Sequence, residues 1–275
     1  MFKIYDLNMK EITLPKGVMP LEIFVGSVAK NRVTEAVDGR AGVVDYGFNY
    51  TDRPVSLFLR IKAADAADFR LLRNEVFATF DVGSAFYVAE SDVPSRVLKV
   101  VVDESYIPDR LTEEYADFDI NCRTLDSVFW ETKYTTLELH DSGYDATAEK
   151  YGLVDNIDDE KVQYRFTENT FTVYNAGNVT VKPESMLLNI IVSTVQSDNN
   201  FTIRNKTTRE EIILKRASAG YHFRIQGMVI SLGAITNIFR DTNRKFISLA
   251  PGDNEFEILN GTFGEIRFEF KYLYK

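Results

Sequence analysis

Cysteine and histidine are nearly absent: Cys122 is the one cysteine in 275 residues, and His140 and His222 are the two histidines. A lone cysteine excludes an internal disulfide and a Cys-based zinc site. Cys122 reads as a small, half-buried strand residue, because a catalytic thiol needs a histidine at its side. His140, in a loop after TTLEL, reads as a surface residue, and His222, in AGYHFRIQG, as a strand residue. Two histidines so far apart could hold a metal only with carboxylates that the sequence does not mark. No GxSxG, GxxxxGKS/T or GxGxxG occurs, so a nucleophile elbow, a P-loop and a dinucleotide loop are all missing. No catalytic residue, cofactor or metal is expected.

Long apolar runs are missing too. No stretch is long enough to cross a membrane, and the opening MFKIYDLNMKEITL mixes charged and apolar residues, unlike a signal peptide. The expectation is a chain without membrane insertion, made in a reducing cytoplasm. Positive charge is in the minority, with 32 Lys and Arg against 41 Asp and Glu, a net charge of −9 and a pI near 5.0. That balance argues against gripping nucleic acid through its phosphates.

What the chain does have is material for cores: 45% hydrophobic residues, with 20 Phe and 14 Tyr, as strand-rich proteins tend to have. Its length suits two domains of ordinary size. The organising stretch is Val37 to Val101. The alternating runs VVDYGFNY (Val43 to Tyr50) and VSLFLRI (Val55 to Ile61) flank the turn TDRP, and together they predict a hairpin. The period then changes: Phe69, Leu72, Val76 and Phe80 share one helical face, with Asp65 as N-cap. The run VGSAFYVAESDVPSRVLKVVV returns to strand, interrupted at Pro94.

Short strands are predicted before this unit at EITLP, PLEIFVG and NRVTEAV. After it, YADFDINCRTLDSVFW places Phe118, Ile120 and Cys122 on one face of a half-buried antiparallel strand. Seven acidic residues and one Arg lie between Asp103 and Asp119, which reads as a solvated sheet edge. From Glu131 to Glu160 nine acidic residues face two lysines, marking a domain boundary near Trp130 to Leu137. DNIDDE (Asp155 to Glu160) lacks the spacing, the Gly and the closing Glu of a calcium loop and reads as a solvated loop. Beyond it come VQYRFTE, NTFTVYN, VTVKP, MLLNIIVST, NFTIRN, EEIILKR, YHFRIQG, KFISLAPG, NEFEILN and EIRFEFKYLY, joined by Asn, Gly and Asp turns. Short strands at such regular spacing are the signal of a β-sandwich. The sequons at Asn178, Asn200, Asn205 and Asn260 fit Asn/Thr-rich turns. The fold class is therefore mainly β: a sandwich-like domain with one helix and a hairpin over residues 1–133, and a second sandwich over 134–275.

In order and spacing, VDGRAGVVDYGFNYTDRPVSLFLRI, the amphipathic helix, the Pro-containing strand and FDINCRTLDSVFW resemble the N-terminal domain of the distal tail proteins of siphophages, the phages with long non-contractile tails. TENTFTVYNAGNVTVKPESMLLNIIV, with its N-x-G turn, and FISLAPGDNEFEI, with L-x-P-G-x-N, resemble the C-terminal sandwich of that family. The chain departs from the pattern at Leu125 to Trp130 and in a longer acidic stretch around Asp141 to Glu160. The resemblance implies a hexameric ring at the tail tip, with N-terminal domains continuing the tail tube. The ring would face the tail tube protein above and a tail-associated lysin or fibre-base protein below. Galectin-like C-terminal sandwiches would hold a receptor-binding protein or baseplate proteins, and DNA would pass through the acidic lumen without sticking. The expected location is the virion tail tip, after synthesis in the cytoplasm of a bacterial host. Val43, Asp45, Tyr46, Phe48, Tyr50, Arg53, Leu57 and Leu59 of the expected hairpin are the candidate ring-contact residues, because an exposed edge can pair with a neighbouring copy. A carbohydrate-binding sandwich, using Trp130 or tyrosines as a stacking platform, is the rival reading. A glycoside hydrolase would need a carboxylate pair, and nothing singles one out.

Overall fold

Most of the alternating runs become antiparallel strands, and the chain divides into two compact units, Met1–Trp130 with Lys275, and Glu131–Tyr274. A computed structural model describes residues 1–81, 83–145, 147–148 and 150–275; Val82 of the expected strand region and Glu149 of the acidic stretch lie outside the described residues. The protein is mainly β.

The first unit contains β1 (Phe2–Tyr5), β2 (Val18–Val25), β3 (Lys30–Ala36), β4 (Val43–Tyr50), β5 (Pro54–Lys62), helix α1 (Ala66–Thr79), β6 (Ala85–Glu90), β7 (Arg96–Val102), β8 (Asp109–Arg110) and β9 (Tyr115–Thr124). One sheet runs β1-β6-β7-β9-β5-β2, with β8 added to β9. Its two ends, β1 and β2, come into contact, so the sheet curls. Strict alternation drives the inner face: Val55, Leu57, Leu59 and Ile61 of β5 and Ala116, Phe118, Ile120 and Cys122 of β9 are all buried in one core. Helix α1 closes that core with Phe69, Leu72 and Val76, followed by Phe80, and Asp65 caps it by accepting from the amides of Ala67 and Asp68, both at 2.8 Å.

Three sequence expectations change here. EITLP forms no strand, only an isolated bridge from Glu11 to Tyr5. β9 is not an edge but lies between β7 and β5. One of its outward acids is tied down: Asp117, directly opposite Arg60, receives Nε at 2.6 Å and Nη2 at 2.7 Å. The third change concerns β4, which pairs with β3 rather than with β5.

The second unit begins within the short strand β10 (Trp130–Thr132) and continues with α2 (Thr136–Ser142), β11 (Arg165–Phe166), β12 (Thr170–Asn175), β13 (Leu188–Ser197), β14 (Phe201–Asn205), β15 (Glu210–Leu214), β16 (Ser218–Gln226), β17 (Val229–Leu232), β18 (Gly252–Leu259), β19 (Ile266–Phe270) and β20 (Leu273–Tyr274). Two antiparallel sheets, β11-β19-β13-β16-β17 and β12-β18-β14-β15, bury Phe201, Phe223, Phe256 and Phe268. VTVKP and KFISLAPG, expected as strands, meet only in an isolated bridge between Val181 and Leu249, and β17 was not anticipated. Helix α2 was not anticipated either. A capping box explains it: Thr135 accepts from the Glu138 amide while Glu138 accepts from the Thr135 amide. His140 therefore sits half-buried on a helix, with Nδ1 3.4 Å from the Val162 carbonyl, rather than in a surface loop.

Three buried asparagines tie together the turns at one end of the sandwich. Asn175 donates to the carbonyls of Val179 (3.1 Å) and Leu249 (3.3 Å) and accepts from the Gly177 amide. Asn254 accepts from the Ala250 amide (2.9 Å) and donates to the Ala250 carbonyl (2.8 Å). Asn205 donates to Asn254 Oδ1 (3.1 Å) and to the Ser248 carbonyl (3.0 Å), so the asparagine of its sequon is buried. Gly177 is required beside them, because a Cβ there would stand 2.5 Å from the Leu273 carbonyl oxygen.

Two outcomes follow. Asn254→Ala removes the centre of this network and leaves buried backbone groups without partners, so it should cost the second unit about 2–3 kcal/mol in urea unfolding; a loss under ~0.5 kcal/mol would show the network to be idle. In the first unit, the Arg60 guanidinium holds the Asp117 carboxyl below its ordinary value. A depressed carboxylate stabilises the fold above its unfolded pKa, near 3.9, and loses that contribution as pH falls through its folded value. Arg60→Gln should flatten the fall in melting temperature below about pH 4, measured by thermal scans from neutral to acid pH.

Candidate functional site

β3 and β4 form a two-stranded sheet separate from the curled one. Their register runs from Lys30 opposite Tyr50 to Ala36 opposite Val43, with a bulge between Arg32 and Thr34 on one strand and Phe48 and Asp45 on the other. Gly47, at φ +104°, supplies the bulge. Uninterrupted alternation would put Phe48 and Tyr50 with Tyr46. The extra residue instead brings Val43, Asp45, Phe48 and Tyr50 onto one face, across from Lys30, Arg32 and Thr34. Arg32 pairs with Asp45, and Lys30 Nζ lies 4.1 Å from the centre of the Phe48 ring. The opposite face carries Val33 and Tyr46, whose hydroxyl donates to Glu35 at 3.0 Å.

Large apolar side chains are left in solvent on both faces: Tyr46 is 62% exposed, Val43 59%, Phe48 44% and Tyr50 41%. A lone hairpin is marginal in water, so its root matters. There Tyr50 meets Phe129 edge-to-face at 5.0 Å. Arg53 is buried, and its guanidinium donates to the carbonyls of Gly26 and of Val128. Its own amide donates to Thr124 Oγ1 at 2.9 Å. The tip is exposed and the root is clamped.

The eight candidate contact residues therefore separate. Val43, Asp45, Tyr46, Phe48 and Tyr50 are on the exposed hairpin; Arg53 is at its root; Leu57 and Leu59, at 0% exposure, lie in the core. Burial in their own chain removes Leu57 and Leu59 from any contact surface, a correction with a simple cause: β5 needs partners on both sides, and β2 and β9 supply them. Sequence reasoning missed Lys30, Arg32, Val33 and Glu35, which β3 places beside the candidate residues of β4. The isolated Gly47 within a strand pattern was the available signal for the bulge.

Burial pushes the Cys122 thiol up to about 12, so it is inert at neutral pH. His222 is exposed on β16, and Trp130 packs partly buried against the first unit's core. Among the described residues no cluster of His, Cys, Asp and Glu is arranged to hold a metal ion. Among the described residues no helix is long and apolar enough to cross a membrane.

Residues 7–122 match the family described as the phage tail protein RIFT-related domain. Comparison with curated proteins found no significant match. Among solved structures, the chain is similar to the Dit protein (gp 19.1) of phage SPP1, described as a paradigm of the hub adsorption apparatus in phages infecting Gram-positive bacteria. The identity is 12%, 99% of this chain and 100% of that chain are covered, and the TM-score is 0.66. A chain of the phage p2 baseplate in its activated conformation aligns at 10% identity over 98% and 97% of the two chains, with a TM-score of 0.42, too weak a likeness to argue from. Residues 7–122 of the first unit are thus similar to a phage tail domain. The chain as a whole has the fold of a siphophage distal tail, or Dit-like, protein.

Because L residues with a Cβ are strained at positive φ, Gly47→Ala should loosen the bulge. Amide exchange should speed up across residues 30–36 and 43–50 while β5 and β9 stay protected. Unchanged exchange in the hairpin would show that the bulge tolerates a side chain.

Proposed function

We propose that the protein is a structural distal tail hub, forming a hexameric ring that joins a siphophage tail tube to its tip. The observation that carries this reading is the β3–β4 hairpin: a clamped root and an aromatic, unpartnered body that another copy could cover. Burying apolar surface returns roughly 25 cal/mol per Å², and pairing removes an exposed strand edge. A head-to-tail contact of this kind closes into a ring when its rotation divides a full turn. The phage tail domain over residues 7–122 supports placing the ring in the first unit. The second unit would then be the outward, galectin-like sandwich that holds receptor-binding or baseplate proteins. On this reading the tail tube protein and a tail-associated lysin or fibre-base protein are the axial neighbours, DNA crosses the lumen in passing, and the protein resides in the virion with no catalysis of its own.

Light scattering of the full chain, with negative-stain images, tests the proposal. The expected result is a six-subunit ring with an open centre, with residues 1–133 alone still assembling. Phe48→Lys combined with Tyr50→Lys should leave a folded monomer. Assembly driven by the second unit alone, or rings indifferent to the double variant, would overturn the assignment of the contact.

A further inference from the structure

The four outer strands of the second unit's two sheets are treated differently. β11 is two residues long. β17 is covered where the Ile238 amide donates to the Ile230 carbonyl at 2.9 Å. β15 is covered by the segment 241–243: the Lys215 amide donates to Asp241 (2.7 Å) and the Asn243 amide to Ile213 (3.1 Å). β12 has β18 on one side only. The Ile258 amide donates to the Asn169 carbonyl (2.8 Å), and the register runs without a slip from Thr170 opposite Glu257 to Asn175 opposite Gly252. Alternation along an antiparallel pair then points the N–H and C=O groups of Phe171 and Val173 at β18 and those of Thr170 and Thr172 away from it. At the far end the Tyr174 carbonyl is taken by the Tyr164 hydroxyl at 2.9 Å.

Beside this open edge lies a cleft of about 490 Å³. Phe166 and Phe171, stacked 4.3 Å apart, give it an apolar floor. Its cations are already neutralised: Lys161 is on Asp253 at 2.9 Å and Arg165 on Asp141 at 2.9 Å. Its carboxylates Glu160 and Glu168 have no ionic partner among the described residues. We infer that the cleft receives an extended segment of another polypeptide, in which apolar and basic residues alternate, added as a strand to the free edge of β12. Thr170 and Thr172 supply the main-chain bonds, the phenylalanines take the apolar side chains, and the unpaired carboxylates select for lysine or arginine. This docking site stands apart from the hairpin and holds whether or not the ring does.

The probe is an acetylated, amidated hexapeptide of alternating lysine and valine, titrated into the full chain by fluorescence anisotropy, with amide exchange read over residues 169–175. Binding should slow exchange at Thr170 and Thr172. Thr172→Pro deletes an outward donor without touching the β18 ladder, and should weaken binding roughly tenfold, as losing one or two main-chain bonds implies. Glu168→Lys should also weaken it, and it decides the matter if the proline variant fails to fold. No binding, binding unmoved by a folded variant, or protection confined to another strand would overturn the proposal. So would self-association that Thr172→Pro abolishes, which would make a second copy of the chain the occupant.

Discussion

Backbone N–H and C=O groups that a β-fold buries must find partners within the chain, and this requirement accounts for much of what is unusual in the second unit. Where no strand is available, side chains substitute. Asn175, Asn205 and Asn254 satisfy carbonyls and amides at the turns of the sandwich, each from within the core. Such groups are expensive to leave unpaired in a low dielectric, which is why asparagine, holding both donor and acceptor on a short stem, occupies all three positions. The motifs N-x-G and P-G-x-N are therefore one structure: the first donates to Leu249, and the second fixes the turn that follows it.

How far the sequence could be read depended on whether a signal was local. Helix α1 was legible throughout, because its cap and its buried stripe lie within one stretch of chain. The faces of β5 and β9 were legible for the same reason: alternation reports which side of a strand is buried. It does not report which strand lies alongside, and so the pairing of β4 was misread. TDRP resembles a hairpin turn, but Arg53 is drawn inward to Gly26 and Val128, and β5 leaves for the curled sheet. Helix α2 had a local signal in the Thr135–Glu138 box; its shortness and acidic surroundings hid it. The strand β4 was legible from its alternation, and its partner β3 was not.

Gly47 shows how one residue changes what a surface can offer. Without the bulge, Tyr46, Phe48 and Tyr50 would share one face of the hairpin and Asp45 would lie on the other. With it, Phe48 and Tyr50 join Asp45, and Lys30 and Arg32 lie across from them. The resulting face combines aromatic area with charges of both signs, a composition suited to specific contact rather than indiscriminate adhesion.

The root of the hairpin sets the cost of using that face. An arm that had to order on contact would lose conformational entropy at every residue fixed, about 1–2 kcal/mol each for the backbone alone. Here the β3–β4 ladder is formed within the chain, and Arg53, Thr124 and Phe129 clamp its root beside the curled sheet. A partner covering this face would therefore meet a preorganised surface, with no ordering of the arm to offset. The same reasoning explains why Arg53 is buried beneath a surface element: its planar guanidinium reaches two carbonyls on separate segments at once, which a lysine could not do with the same fixed geometry.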